Sequence, residues 1–173
     1  MTDRLLLVGM MAVGKTTTGR LCAQRLGWTF LDSDAQLLAE TGRGAQEIFE
    51  RDGDEALRTW ETKVFHDALD APVPAVVAVA GGVVLSEANR ALLVRSGVVV
   101  WLRSSIKTLS ERVERGGARP RLGDDPERSL RELYRTRHPL YASVAAFVID
   151  VDDLAPEEVV ARLLAETGLV ADR

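Results

Sequence analysis

Residues 9–16, Gly9-Met10-Met11-Ala12-Val13-Gly14-Lys15-Thr16, follow the spacing G-x-x-x-x-G-K-[ST]. In such a loop, backbone N–H groups and the start of the following helix cradle phosphate oxygens. The lysine brings its charge to the β- and γ-phosphates, and the threonine hydroxyl is a hard oxygen ligand for Mg²⁺. The motif follows an apolar run at 5–8 and opens a helical pattern, which is the context that gives it meaning. A glycine-bearing strand-to-helix turn with a solvated lysine is the bland alternative. The chemical reading assigns Ala12, Val13, Gly14, Lys15, Thr16 and Thr17 to ATP; for Thr17 a place on the helix surface stands equally open.

Other residues suit the acceptor side of a phosphoryl transfer. In Asp32-Ser33-Asp34, two carboxylates one residue apart point opposite ways along a strand but can share a cleft in a turn. One would hold the water shell of Mg²⁺ and the other an acceptor hydroxyl; the alternative makes Asp34 the N-cap of the next helix. Arg58 and Glu61 are spaced i, i+3 on one helix face, as acceptor ligands or as a surface ion pair. Gly81-Gly82 follows the most apolar strand, either as a simple turn or where a ligand approaches the backbone. Arg119 lies in a glycine- and proline-rich stretch and could swing onto the transferring phosphate. Arg137 offers a bidentate fork to a carboxylate, or meets the end of a helix dipole.

These residues must be placed by the elements around them. Short apolar runs at 5–8, 29–32, 75–79, 98–102 and 146–149 read as strands. Helical patterns fall at 14–26, 35–40, 45–51, 54–69, 89–96, 105–114 and 156–167, with a further helix opened by Pro126 and broken by Pro139. Asp54 is the expected N-cap of the 54–69 helix, and Ser104 or Ser105 that of the 105–114 helix. Residues 116–125 read as an exposed, mobile loop. Alternating strands and helices with continuous apolar strands predict an α/β domain whose parallel sheet is covered on both faces. Ligands then bind at the carboxyl ends of the strands, where every motif above falls.

The 173 residues fit one domain, 46% hydrophobic and 28% charged, which excludes wholesale disorder. The single Cys22 excludes an internal disulfide and reads as a small core residue. No apolar run approaches a membrane span and no signal-peptide pattern opens the chain, so the expectation is a cytoplasmic protein that meets no membrane. The net charge of −4 is segregated: residues 103–141 carry 10 basic and 6 acidic side chains, residues 142–173 carry 2 and 7. The basic stretch fits a small phosphorylated ligand, while the acidic total argues against nucleic acid. Only three of the 22 basic residues are lysines, Lys15, Lys63 and Lys107, so Lys15 stands out in its motif.

Taken together and in order, these segments resemble the shikimate kinase family from about residue 4 to residue 165. The resemblance rests on the loop through Gly19-Arg20, on Asp32-Ser33-Asp34, on Thr41-Gly42 with Glu47-Ile48-Phe49, and on 53–58 with Glu61. It continues through 81–85, Asn89-Arg90, Arg119-Pro120 and Arg137-His138-Pro139-Leu140-Tyr141. It implies a three-layer α/β/α P-loop kinase fold with a five-stranded parallel sheet, a substrate-binding segment at 33–61 and a mobile lid at 113–125. It implies ATP-dependent phosphorylation of the 3-hydroxyl of shikimate, with ATP and Mg²⁺ and without a nucleic-acid partner, by a monomer. Asp34, Arg58, Gly81 and Arg137 would bind shikimate beside Glu61 and Gly82, with the two arginines gripping its carboxylate and Asp34 acting as base. Thr16 and Asp32 would serve Mg²⁺; Lys15 and Arg119 would serve the phosphates, and Arg112 would stack on adenine.

This chain departs from the family pattern at several positions. Ala12 stands for a glycine in the loop, Ala80 for the first glycine of a three-glycine segment, and Leu57 for a phenylalanine that helps wall the substrate pocket. Arg121 stands for a leucine, and 151–154 lacks a basic residue near adenine. Ala80 and Leu57 keep open a related acceptor such as aminoshikimate, a cyclitol or a sugar acid. Ala12 keeps open a nucleotide-binding regulatory protein without transfer activity.

Overall fold

The computed structural model describes residues 3–116 and 125–170. The strands are β1 (Arg4–Val8), β2 (Thr29–Asp32), β3 (Ala75–Ala78), β4 (Val98–Arg103) and β5 (Phe147–Asp150). The helices are α1 (Lys15–Leu26), α2 (Ser33–Thr41), α3 (Ala45–Asp70), α4 (Glu87–Ser96), α5 (Ile106–Gly116), α6 (Pro126–Val144) and α7 (Pro156–Thr167). A 3₁₀ turn at Val83–Leu85 follows the paired glycines.

All strand pairs are parallel, in the order β2-β3-β1-β4-β5. β1 and β3 are buried along nearly their whole length, because helices cover both faces of the sheet. The main core runs from Leu5, Leu6 and Leu7 through Val76, Val100 and Leu102 to Ile149 and Leu163. Cys22 is fully buried within it. From β1 the chain crosses to β2 on one side, and from β3 it crosses to β4 on the other. This reversal opens a crevice at the carboxyl ends of β1 and β3, the position that favours ligands in such sheets.

A second, smaller core joins α2 and α3 through Leu37, Ile48, Leu57 and Val64. Helix α3 is interrupted at Gly53, whose φ of 90° and ψ of 175° lie outside the helical region. The expected break between two helices is therefore present, but as one non-helical residue rather than a loop. Asp54, the expected cap, places its carboxylate 2.7 Å from the Arg58 guanidinium.

Pro139 does not break its helix as the sequence suggested. Helix α6 runs through it to Val144. A proline inside a helix removes one backbone donor and costs about 3 kcal/mol in an isolated helix. Here both flanks of Pro139 are anchored: Arg137 and Tyr141 are almost wholly buried, and Leu130 and Val144 face the core. Tertiary burial outweighs the local penalty.

The loop after β5 also reaches α5. Ser105 caps that helix through Thr108 N (3.2 Å), as expected, and Asp152 accepts from Ser105 N (2.9 Å) and from the Ser104 hydroxyl. Burial pushes the Asp152 pKa up, but the bonds from Ser104 and Ser105 outweigh it and hold the carboxyl below its ordinary range. Its stabilising contribution is thus present above the ordinary carboxylate pKa and lost as pH falls through the lowered one. Asp152→Ala should cost about 1 kcal/mol near neutral pH, lowering Tm by about 2–4 °C in calorimetry. The difference from the parent should shrink toward strongly acidic pH.

Candidate active site

Gly9 leaves β1 with φ 147°, and a Cβ there would lie 2.5 Å from the Leu102 carbonyl oxygen, so the loop passes where only glycine fits. Gly14, at φ 104°, begins α1. That helix has no side-chain cap and no acidic residue in its first turn, so its N–H groups and dipole are left for an anion. Ala12 adopts φ 60°, the left-handed region that glycine occupies without cost. The Val13 carbonyl is held by Arg112 (3.0 Å), which also donates to Val151 O (3.3 Å).

Lys15 lies at the centre. Its ammonium donates to the carbonyls of Gly9 (2.9 Å) and Met10 (3.0 Å). Burial lowers its pKa; Asp34, Asp32 and Glu61 oppose the shift, while Arg137 adds to it. The Thr16 hydroxyl donates to Asp32 Oδ2 at 2.6 Å. The other oxygen of Asp32 accepts from the backbone N–H groups of Asp34 (2.9 Å) and Ala35 (3.2 Å). Asp32, not Asp34, is therefore the N-cap of α2. The Asp34 side chain instead lines the cleft, as Lys15 does.

Two concavities of about 320 Å³ each meet at the loop. The first is lined by 12–14, Thr17, Thr18, Arg112, Val151, Leu154, Pro156 and Val159. Its mixture of backbone, hydroxyl, guanidinium and apolar groups suits a nucleotide, with phosphates at the glycines and a planar base between Arg112 and the Pro156 end. The second is lined by Met11, Lys15, Asp34, Leu38, Gly44, Ala45, Gln46, Glu61, Gly81, Gly82 and Arg137. A nucleotide phosphate chain at Lys15 would thus stand between the two. Thr16 and Asp32 supply paired hard oxygens at that junction, enough for Mg²⁺ when phosphates and water complete its shell.

The acceptor cleft has a cationic floor. Arg137 is only 2% exposed, and its Nη2 has no hydrogen-bond partner among the described residues. It lies in mid-helix, so the alternative of an arginine meeting a helix end does not hold. Arg58 donates to Glu61 (2.5 Å) and Asp54 (2.7 Å), and its Nε is buried without a partner among the described residues. It opens on a neighbouring concavity of about 390 Å³ that shares Arg137 with the acceptor cleft. Gly82 lies against the Arg58–Glu61 pair so closely that a Cβ would stand 1.9 Å from Arg58 Nη1 and 2.1 Å from Glu61 Oε2.

Of the residues expected from sequence, Lys15, Asp34, Glu61, Gly81, Gly82 and Arg137 converge on one cleft, with Arg58 immediately beside it. Arg119 lies outside the described residues, as does the 117–124 part of the expected lid. Leu57 is fully buried in the small core and Ala80 is 4% exposed; neither lines the acceptor cleft, contrary to the expectation for position 57. Met11, Leu38 and Gln46 of the acceptor cleft, and Val159 of the nucleotide cleft, were not singled out from sequence, whereas Val151 and Leu154 belong to the segment expected near adenine. The half-exposed leucine on α2 is the sort of signal that only a surface reveals. Among the described residues, no helix is long and apolar enough to cross a membrane.

The fold and the two joined clefts define a phosphate-loop kinase acting on a small molecule. The pattern of the family described as "Shikimate kinase" matches residues 11–167, and the chain belongs to the shikimate kinase family. It is 41% identical over 162 residues to the shikimate kinase of Ruegeria pomeroyi, covering 93% of this chain and 83% of that one. It is 39% identical to that of Nitrosospira multiformis, covering 99% and 88%. Its structure matches shikimate kinase from Acinetobacter baumannii in complex with shikimate, with a TM-score of 0.91, 35% identity, and coverage of 96% of this chain and 93% of that chain. A gluconokinase from Sinorhizobium meliloti, at 22% identity and a TM-score of 0.66, shares the fold.

Two outcomes test this geometry. Gly82→Ala should drive the Arg58–Glu61 pair apart and weaken acceptor binding tenfold or more, leaving the KM for nucleotide within about twofold, as measured by steady-state kinetics. Because burial lowers the Lys15 pKa, deprotonation should weaken ADP binding, measured by calorimetry, at a lower alkaline pH than an ordinary lysine would. Lys15→Arg should remove that alkaline step.

Proposed function

We propose that this chain transfers the γ-phosphoryl group of ATP to the 3-hydroxyl of shikimate, giving shikimate 3-phosphate and ADP. The observation that carries the reading is the buried Arg137, with one nitrogen unpartnered among the described residues, in a cleft that Lys15 and Asp34 also line. An acceptor with a carboxylate at one end and a hydroxyl at the other spans those groups.

The carboxylate sits on Arg137, assisted by Arg58, which Glu61 and Asp54 hold in place. Gly81 and Gly82 let the ring approach the backbone. Asp34 orients the hydroxyl and takes its proton as the oxygen bonds to the γ-phosphorus and the bond to the β-phosphate oxygen breaks. Lys15 and the N–H groups at the start of α1 balance charge on the leaving side, a role that Arg119 would share at the γ-phosphate. Mg²⁺, held through Thr16 and Asp32, would neutralise part of the phosphate charge. Ala12, Val13, Gly14 and Thr17 follow the phosphate chain, and Arg112 flanks the base. In such transfers positioning and preorganised charge supply most of the rate enhancement. The enzyme works as a monomer in the cytoplasm.

The decisive experiment is ADP release with Mg-ATP over a panel of shikimate, aminoshikimate, cyclitols and sugar acids. Shikimate should be preferred by kcat/KM; turnover of another member but not of shikimate would overturn the reading. Lys15→Met should abolish transfer, Asp34→Asn should lower kcat by at least a hundredfold, and Arg58→Ala should act mainly on the acceptor KM.

A further inference from the structure

Tyr141 belongs to a run that the catalytic reading leaves unused beyond Arg137. It is 1% exposed, one helical turn beyond Arg137 on α6. Its hydroxyl donates to the carbonyl of Gly81 at 2.9 Å, joining residues sixty positions apart. The ring is backed by Trp101 of β4, with centroids 5.9 Å apart and planes inclined by 33°. A Cβ on Gly81 would stand 3.2 Å from Arg137 Nη1 and 3.3 Å from both the Tyr141 hydroxyl and the Gly9 carbonyl oxygen. The Gly81 peptide is thus pressed between the acceptor arginine, the phosphate loop and this hydroxyl. A Gly-Gly peptide has no side chain to hold its plane, so its orientation has to be imposed by a neighbour.

We propose that Tyr141 is a positioning residue for the acceptor: its hydroxyl locks the Gly81 peptide plane and the adjacent Arg137 fork in the arrangement that receives the acceptor carboxylate. The inference rests on the acceptor reading above. Burial raises the Tyr141 pKa to about 12, although the Arg137 charge and a hydrogen bond from Arg137 to the hydroxyl oppose the rise. The hydroxyl therefore remains a neutral donor to the Gly81 carbonyl well into alkaline pH. Ring and hydroxyl have separable roles: Trp101 contacts the ring, whereas only the hydroxyl reaches Gly81.

Tyr141→Phe keeps the ring and deletes the bond. The expected result is a three- to tenfold rise in the acceptor KM, the range of one lost buried hydrogen bond, with the KM for ATP unchanged. The preference for shikimate over its carboxamide analogue should shrink by a similar factor. Equal rises in both KM values, or an unchanged carboxylate preference, would overturn the proposal. A crystal structure of the variant decides independently of the acceptor. The Gly81 peptide should rotate or split between orientations, and an unmoved peptide with an unmoved Arg137 side chain would refute the proposal. If the parent enzyme fails to use shikimate, the acceptor assignment falls, while the peptide's orientation in the variant still tests Tyr141.

Discussion

A cation drawn out of water must recover its lost hydration, and that constraint shapes the cleft around the half-buried Lys15 and the buried Arg137. Removing an ammonium or guanidinium from water is costly unless dipoles or opposite charges replace the lost hydration. For Lys15 the replacement is local: the Gly9 and Met10 carbonyls lie within 3.0 Å because the loop curls around the side chain. Arg137 is treated differently. One nitrogen of its fork is left without a partner among the described residues. The two cations also raise each other's cost, and the carboxylates of Asp34, Asp32 and Glu61 moderate it. The resulting field is an alternation of signs around one cavity, rather than a uniformly positive surface. Such alternation offers a cation to an acceptor's carboxylate and a carboxylate to its hydroxyl at fixed places.

Asp32 translates this electrostatic arrangement into backbone structure. With one oxygen on the Thr16 hydroxyl and the other on two N–H groups at the start of α2, it couples the phosphate loop to the segment that carries Asp34. The role explains why a single intervening residue suffices between the two carboxylates. The strand ends at Asp32, the helix begins at Ser33, and the pleat no longer dictates that alternate side chains diverge.

The parallel sheet and its helices were legible in the sequence because buried strands are continuous apolar runs and helix ends carry glycine or capping signals. The phosphate loop was legible because its chemistry depends on neighbours in sequence. What could not be read was whatever depended on contacts distant along the chain. Pro139 satisfies every local rule for ending a helix, yet α6 continues, since the burial of Arg137 and Tyr141 is invisible to local propensity. Position 57 reads as a pocket wall by resemblance, but its leucine turns into the small core with Leu37 and Ile48. Asp152 looks like one more acidic loop residue until Ser105 of a distant segment is placed against it. Arg58 and Glu61 were legible as a pair from their spacing alone; that Gly82 leaves room for them was not, because the close approach joins α3 to the turn after β3.

Ala12 shows how the phosphate loop tolerates a residue that its backbone does not favour. An alanine in the left-handed region costs about 1 kcal/mol relative to the right-handed one. Such strain persists only where the surroundings over-determine the conformation. Here Gly9 is pressed on the Leu102 carbonyl, Arg112 grips the Val13 carbonyl, and the Lys15 ammonium ties down the Gly9 and Met10 carbonyls. Each restraint comes from a different part of the chain, and together they leave residue 12 little alternative. A loop held this way has already lost its conformational entropy during folding, so less ordering remains to be done when phosphate oxygens arrive. Ala12 lines the nucleotide cleft. Its strain is therefore better understood as a consequence of a preorganised anion site than as a defect in it.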